Sequence, residues 1–176
     1  HTAYLAARGL PRAHVDTRGA ANGLLTALAN AAPQAQVIVV YGEVADLARV
    51  FHRVEARPVL ITADRVDAVK HAYAAAKVFA QRAQLLTFDV LMCAPQGSRR
   101  ARAVAASLAD CADHYMGSML ADWALIDPAS DVSDAPGEDL LALLAHQLQL
   151  HSPAATPALS AVPRTATSHA WQATSH

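Results

Sequence analysis

From residue 13 to residue 126 the chain alternates two kinds of apolar pattern, and this alternation limits its fold more than any other feature. Short runs at 13–15, 36–41, 58–62 and 85–93 are almost continuously apolar, β-branched or aromatic, and a last short one lies at 124–126. Runs of that length and character suit strands covered on both faces, as in parallel sheets. Between them the apolar residues recur at helical spacing. Segment 22–32 carries Leu24, Leu25 and Leu28, and segment 44–54 carries Val44, Leu47, Val50 and Phe51. Segment 66–81 places Val66, Val69, Tyr73, Ala76 and Ala80 on one stripe, and 101–112 does the same with Val104, Leu108 and Cys111. Strands that alternate with helices imply βαβ units joined by right-handed crossovers. The expected fold class is α/β, a mainly parallel sheet flanked by helices. Segments 37–40, 59–61 and 86–92 are expected as central strands, with helices 65–82 and 98–113 packed on the sheet.

Local signals sharpen these limits. Asp64 can cap the helix that follows the strand at 58–62, and Ser98, after Gly97, can cap the next. Pro33 and Pro58 punctuate element starts. Segment 131–137 reads as a loop, and 138–150 as a terminal helix whose acidic first residues suit the helix dipole. That helix is leucine-rich but has no Lys or Arg beside its apolar face, so packing on the domain is expected rather than binding to anionic lipid. From Ser152 onward Pro, Ala, Ser and Thr dominate. Residues 1–151 therefore read as one α/β domain, and 152–176 as a disordered low-complexity tail.

Charge and composition narrow the function. The net charge is −1 and there is no dense basic block, which argues against nucleic acid as a partner. No run approaches the roughly 18 apolar residues of a membrane span. Cys93 and Cys111 are isolated, so neither a disulfide framework nor a zinc site is expected, and a cytoplasmic location fits best. None of the histidines forms an HExxH or HxxxH pair. The first residue is His1, with no signal-peptide pattern after it, which reads as a chain whose natural start lies upstream.

Three stretches carry a family likeness. RPVLITADRVDAVKHAYAAAKVFAQR (57–82) joins a buried strand to a helix in which Val69, His71-Ala72-Tyr73-Ala74 and Lys77 stand in distinctive places. FDVLMCAP (88–95) is a second strand and turn. GSRRARAVAASLADCADHYMG (97–117) and ADWALIDPASD (121–131) are a helix with its corner and a final strand that ends in Asp127-Pro128. Together they resemble the MinD/ParA-like P-loop ATPases, and within that family the flagellar-number regulators of the FlhG (FleN) branch. The resemblance implies a P-loop NTPase-like fold, ATP and Mg²⁺ as cofactors, and face-to-face dimers. It implies a flagellar GTPase or a transcriptional activator as protein partner. It also implies an adenine-side loop at Cys93, Asp127 and Pro128.

The departures from that family bear on chemistry. GxxxxGK[ST], whose backbone N–H groups, Lys and hydroxyl hold phosphates and Mg²⁺, is absent from the chain. The strand VIVVY (37–41) leads into Gly42-Glu43 where the family carries an Asp, with Glu43 as a displaced substitute. Cys93 stands where the resemblance implies an Asn that reads the adenine edge, and a thiol cannot both donate and accept as an amide does. No catalytic residue and no metal ligand is assigned. The expectation is a regulator with weakened or lost nucleotide chemistry. The alternative is an active ATPase whose phosphate loop lies upstream of His1.

Three further features have ordinary readings. In HVDTRG (14–19), Asp16 resembles a Mg²⁺-holding carboxylate, but capping by Asp16 and Thr17, with Gly19 easing the turn, accounts for it. Arg99, Arg100 and Arg102 suit a solvated helix face better than a phosphate site. Cys93 reads as a small core hydrophobe, and Lys77 as solvated.

Overall fold

The computed structural model describes residues 12–150 apart from Val132. The tail at 152–176 and the first eleven residues lie outside the described residues. Two helices, α1 (Gly23–Ala31) and α2 (Val44–Val50), precede a βαβαβ unit. That unit runs β1 (Val59–Ala63), α3 (Val66–Val78), β2 (Thr87–Cys93), α4 (Arg99–Met116) and β3 (Met119–Ile126). A last helix, α5 (Glu138–Leu150), follows. The three strands form one parallel sheet in the order β1-β2-β3. The expected α/β class with a parallel sheet is therefore present.

Side-chain alternation along β2 divides the molecule. Phe88, Val90 and Met92 point to one face and join Leu60 of β1 in the main core. Ala72 and Ala76 of α3, and Ala101, Ala105, Leu108 and Ala112 of α4, close that core from above. The alanines let both helices approach the sheet closely while the large side chains come from the strands. Ser98 caps α4 as expected, its hydroxyl accepting the Ala101 amide at 3.1 Å. Gly117, at φ 57°, ends the helix in the left-handed conformation that a side chain disfavours.

The other face of the sheet carries Asp89 of β2 and lies under α5. Leu143 is the fully buried anchor of that helix. The terminal helix packs on the domain through Leu143 and Gln147, while Leu141, Leu144 and Leu148 stay exposed, and its acidic first turn holds Glu138 and Asp139. Among the described residues no helix is long and apolar enough to cross a membrane.

Several expectations are corrected. Segment 13–15 is not a strand: Arg12–His14 is a 3₁₀ turn. The next residue but one, Asp16, accepts the Arg18 and Ala20 amides with its side chain, a local bonding pattern that competes with extended structure. Gly19, at φ 83°, eases that turn as expected, but Asn22, not Asp16 or Thr17, precedes the helix. Segment 36–41 is not a strand either, and only β2 is central in the sheet. Its side chains are largely in solvent, with Val39 85% and Tyr41 86% exposed. A β-branched run becomes a strand only against a neighbour, and this one has none among the described residues.

Helix limits also shift. Asp64 does not cap α3; Arg65 occupies the capping position without a side-chain bond, and the Asp64 carboxylate instead accepts the Ser98 hydroxyl at 3.0 Å. The expected single helix over 66–81 ends at Val78 and passes into a π turn, Phe79–Ala83. The extra residue in that turn rotates the helix face so that the adjacent Phe79 and Ala80 are both buried. Helix 44–54 stops at Val50, while the strand expected at 124–126 begins five residues earlier, at Met119.

Candidate functional site

Ligands of open α/β sheets bind outside the carboxyl ends of the strands, where loops leave the sheet together. Here those ends are Ala63 of β1, Cys93 of β2 and Ile126 of β3. Cys93 pairs with Ile126 across the sheet, and the Ala94 amide donates to the Ile126 carbonyl at 3.0 Å. The sheet thus sets Cys93 beside the Asp127-Pro128 turn, two parts of the chain that the sequence separates widely. Cys93 is half-buried and Pro128 is exposed.

Asp127 organises this crest. One carboxylate oxygen accepts the Gln96 amide at 3.0 Å and the other accepts the Ala129 amide at 2.9 Å. The Ala129 bond first, and the Gln96 bond second, hold its pKa below the ordinary carboxylate value. It therefore ties the β2–α4 loop to the end of β3 as an ionised group. On the β1 side, Ser98 makes the corresponding tie to Asp64. Gly97, at φ 75°, gives the turn between these two ties a conformation that favours glycine.

Other candidates lie elsewhere. Glu43 is exposed ahead of α2 and follows no strand, so it does not occupy a strand-end position. Asp16 belongs to its own turn, with one oxygen taking both amides. Arg99, Arg100 and Arg102 are exposed on the first turns of α4. Arg100 borders a shallow hollow between α3 and α4 together with Val66, Val69 and Lys70. Lys77 is exposed on α3. Among the described residues there is no group of three or more His, Cys, Asp or Glu side chains that could hold a metal ion.

A second polar cluster lies under α5. Asp89 is fully buried in the central strand. Arg57 places its Nε 3.0 Å from one Asp89 oxygen, an ion pair without a hydrogen bond. Gln147 of α5 donates to the same oxygen at 2.7 Å and to the Arg57 carbonyl at 3.0 Å. The other Asp89 oxygen accepts the Asp122 amide at 3.1 Å. That amide is available because β3 bulges there: Phe88 pairs with Leu120 but Val90 pairs with Trp123, so Ala121 and Asp122 stand opposite Asp89 alone. His146 completes the group, its Nδ1 2.6 Å from Asp122. Sequence reading missed this cluster. Its one signal was an Asp within the run FDVLMC, since a carboxylate inside a doubly covered strand requires partners.

Comparison with known protein families, with curated proteins and with solved structures returns no match to this chain.

Proposed function

We propose that the chain is a MinD/ParA-like regulatory module of P-loop NTPase-like fold, of the FlhG type, that acts in flagellar biosynthesis or placement. Its work is protein binding, with a flagellar GTPase or a transcriptional activator as partner, and its nucleotide chemistry is weakened or lost. One observation supports the adenine-side part of this reading. The parallel sheet sets Cys93 and the Asp127-Pro128 turn side by side at its carboxyl edge, where the family likeness expects a base-reading loop. The same crest argues for lost chemistry. Both Asp127 oxygens are occupied by backbone amides, and Cys93 offers no amide. The sequence carries no Gly-rich phosphate loop, and most phosphate affinity in such folds comes from that loop, its Lys and Mg²⁺.

Calorimetric titration of the chain with Mg-ATP tests the reading. Millimolar binding or none is expected. Micromolar, Mg²⁺-dependent binding would sink it. A longer chain that includes residues upstream of His1 separates the alternative of an active ATPase, because that alternative requires binding to return.

A further inference from the structure

Among the described residues β1 is an outer strand, and β2 occupies only one of its two edges. The Asp89 amide donates to the Pro58 carbonyl at 2.9 Å. Alternate residues of a strand present their backbone groups to opposite edges. The N–H and C=O groups of Val59 and Ile61 therefore point away from β2, and among the described residues they have no backbone partner. Their side chains also lie on the face that α5 leaves uncovered here, with Val59 37% and Ile61 56% exposed. Sheet edges are normally blunted by charge, proline or a covering element, because an open apolar edge templates another strand. This edge, Val59-Leu60-Ile61-Thr62-Ala63, has no charge of its own.

Among the described residues the same chain carries a matching unpaired element. Residues 37–41 are Val-Ile-Val-Val-Tyr, a composition that favours strands strongly. Val37, Ile38, Val39 and Tyr41 are exposed, and among the described residues residues 37–42 make no backbone hydrogen bond. An open edge fixes the chemistry of what can fill it. The outward amides and carbonyls recur every second residue, so the occupant must be extended, and the exposed Val59 and Ile61 favour apolar side chains along it.

We infer that the β1 edge is a strand-addition surface for a second copy of this chain, whose 37–41 segment docks there as a fourth strand. A second copy fits because, among the described residues, each chain holds one open edge and one unpaired strand-forming segment. Reciprocal exchange satisfies both elements on both chains and closes at two under a twofold axis. The contact is independent of nucleotide and of the crest around Cys93 and Asp127.

Sedimentation velocity of the 176-residue chain over a concentration series, without nucleotide, provides the test. The wild type is expected to shift from one chain to two as concentration rises. Val39→Pro removes a strand donor, and Val39→Lys places a charge in the added strand. Residue 39 makes no backbone hydrogen bond among the described residues, so both variants should keep the wild-type circular dichroism. Both are expected to stay monomeric wherever the wild type is dimeric. Hydrogen exchange of the wild type should also slow with concentration at 37–41 and at 59–63 together. A wild type that is monomeric throughout would overturn the inference, since the segment would then be free or paired within its own chain. So would a dimer that persists in both variants, or protection confined to other segments.

Discussion

Asp89 is the residue on which the second face of the sheet depends. Among the described residues it is the one carboxylate buried completely, and it meets Arg57, Gln147 and the Asp122 amide at once. Asp89→Ala would leave the largely buried Arg57 guanidinium with only the longer contact to the Asp122 carboxylate at 3.9 Å, and breaking a buried pair of this kind costs about 3–5 kcal/mol. Urea unfolding should show that loss, and the pair Arg57→Met with Asp89→Leu should lose less than the single change does. A variant as stable as the wild type would show that Arg57 finds another partner. Asp127 behaves differently, because it lies at the surface. Two backbone amides lower its pKa in the folded chain, so the unfolded chain binds its proton more readily. Its contribution is then complete above the unfolded carboxylate value of about 3.9 and fades as pH falls through the lower folded value. Asp127→Asn should therefore be less stable than the wild type at neutral pH, and the two should converge in acid. Parallel stability curves across that range would remove the ionised carboxylate from the account of the crest.

Among the elements, α4 shows how one residue serves two ends. Ser98 accepts the Ala101 amide, satisfying one of the unpaired donors of the first turn, and donates its own hydroxyl to Asp64. Ser98→Ala should destabilise the chain by about 1 kcal/mol through the lost cap. Asp64→Ala should cost less, because the cap survives it, and thermal unfolding of both variants measures the difference. Equal losses would mean that the link to Asp64, rather than the cap, carries the effect. The element scale is also where sequence reading did best and worst. Helices α3 and α4 were legible from their helical spacing, but their buried seams are Ala72 and Ala76, and Ala101, Ala105, Leu108 and Ala112, whereas Val66 of the expected stripe is 58% exposed; the acidic start of α5 marked its first turn. The π turn was not legible, since Phe79, Ala80 and Ala83 satisfy a helical pattern almost as well. The 36–41 run has strand composition without a strand neighbour, and composition alone carries no information about the neighbour.

On the scale of the whole molecule, the β1–α3–β2–α4–β3 succession and its parallel sheet were readable from the alternation of periods. Which segments were central was not, because that depends on strand order rather than on any local pattern. The crest was half legible. Cys93, Asp127 and Pro128 were singled out in the sequence by a family likeness, whereas the ties through Gln96, Ala129 and Ser98 come from loop geometry. The bulge in β3 has a consequence for how the chain finds its native pairing. A strand that is apolar on both sides gains nearly as much contact when it slides along its neighbour as when it is in place, so hydrophobicity alone discriminates poorly between alignments. A shift of β3 by one residue would withdraw the Asp122 amide from Asp89 and leave a buried anion short of a donor, which the interior tolerates badly. One carboxylate thus acts as a proofreader of the sheet: misaligned chains are penalised at a single atom, and the native alignment is the one in which that atom is answered.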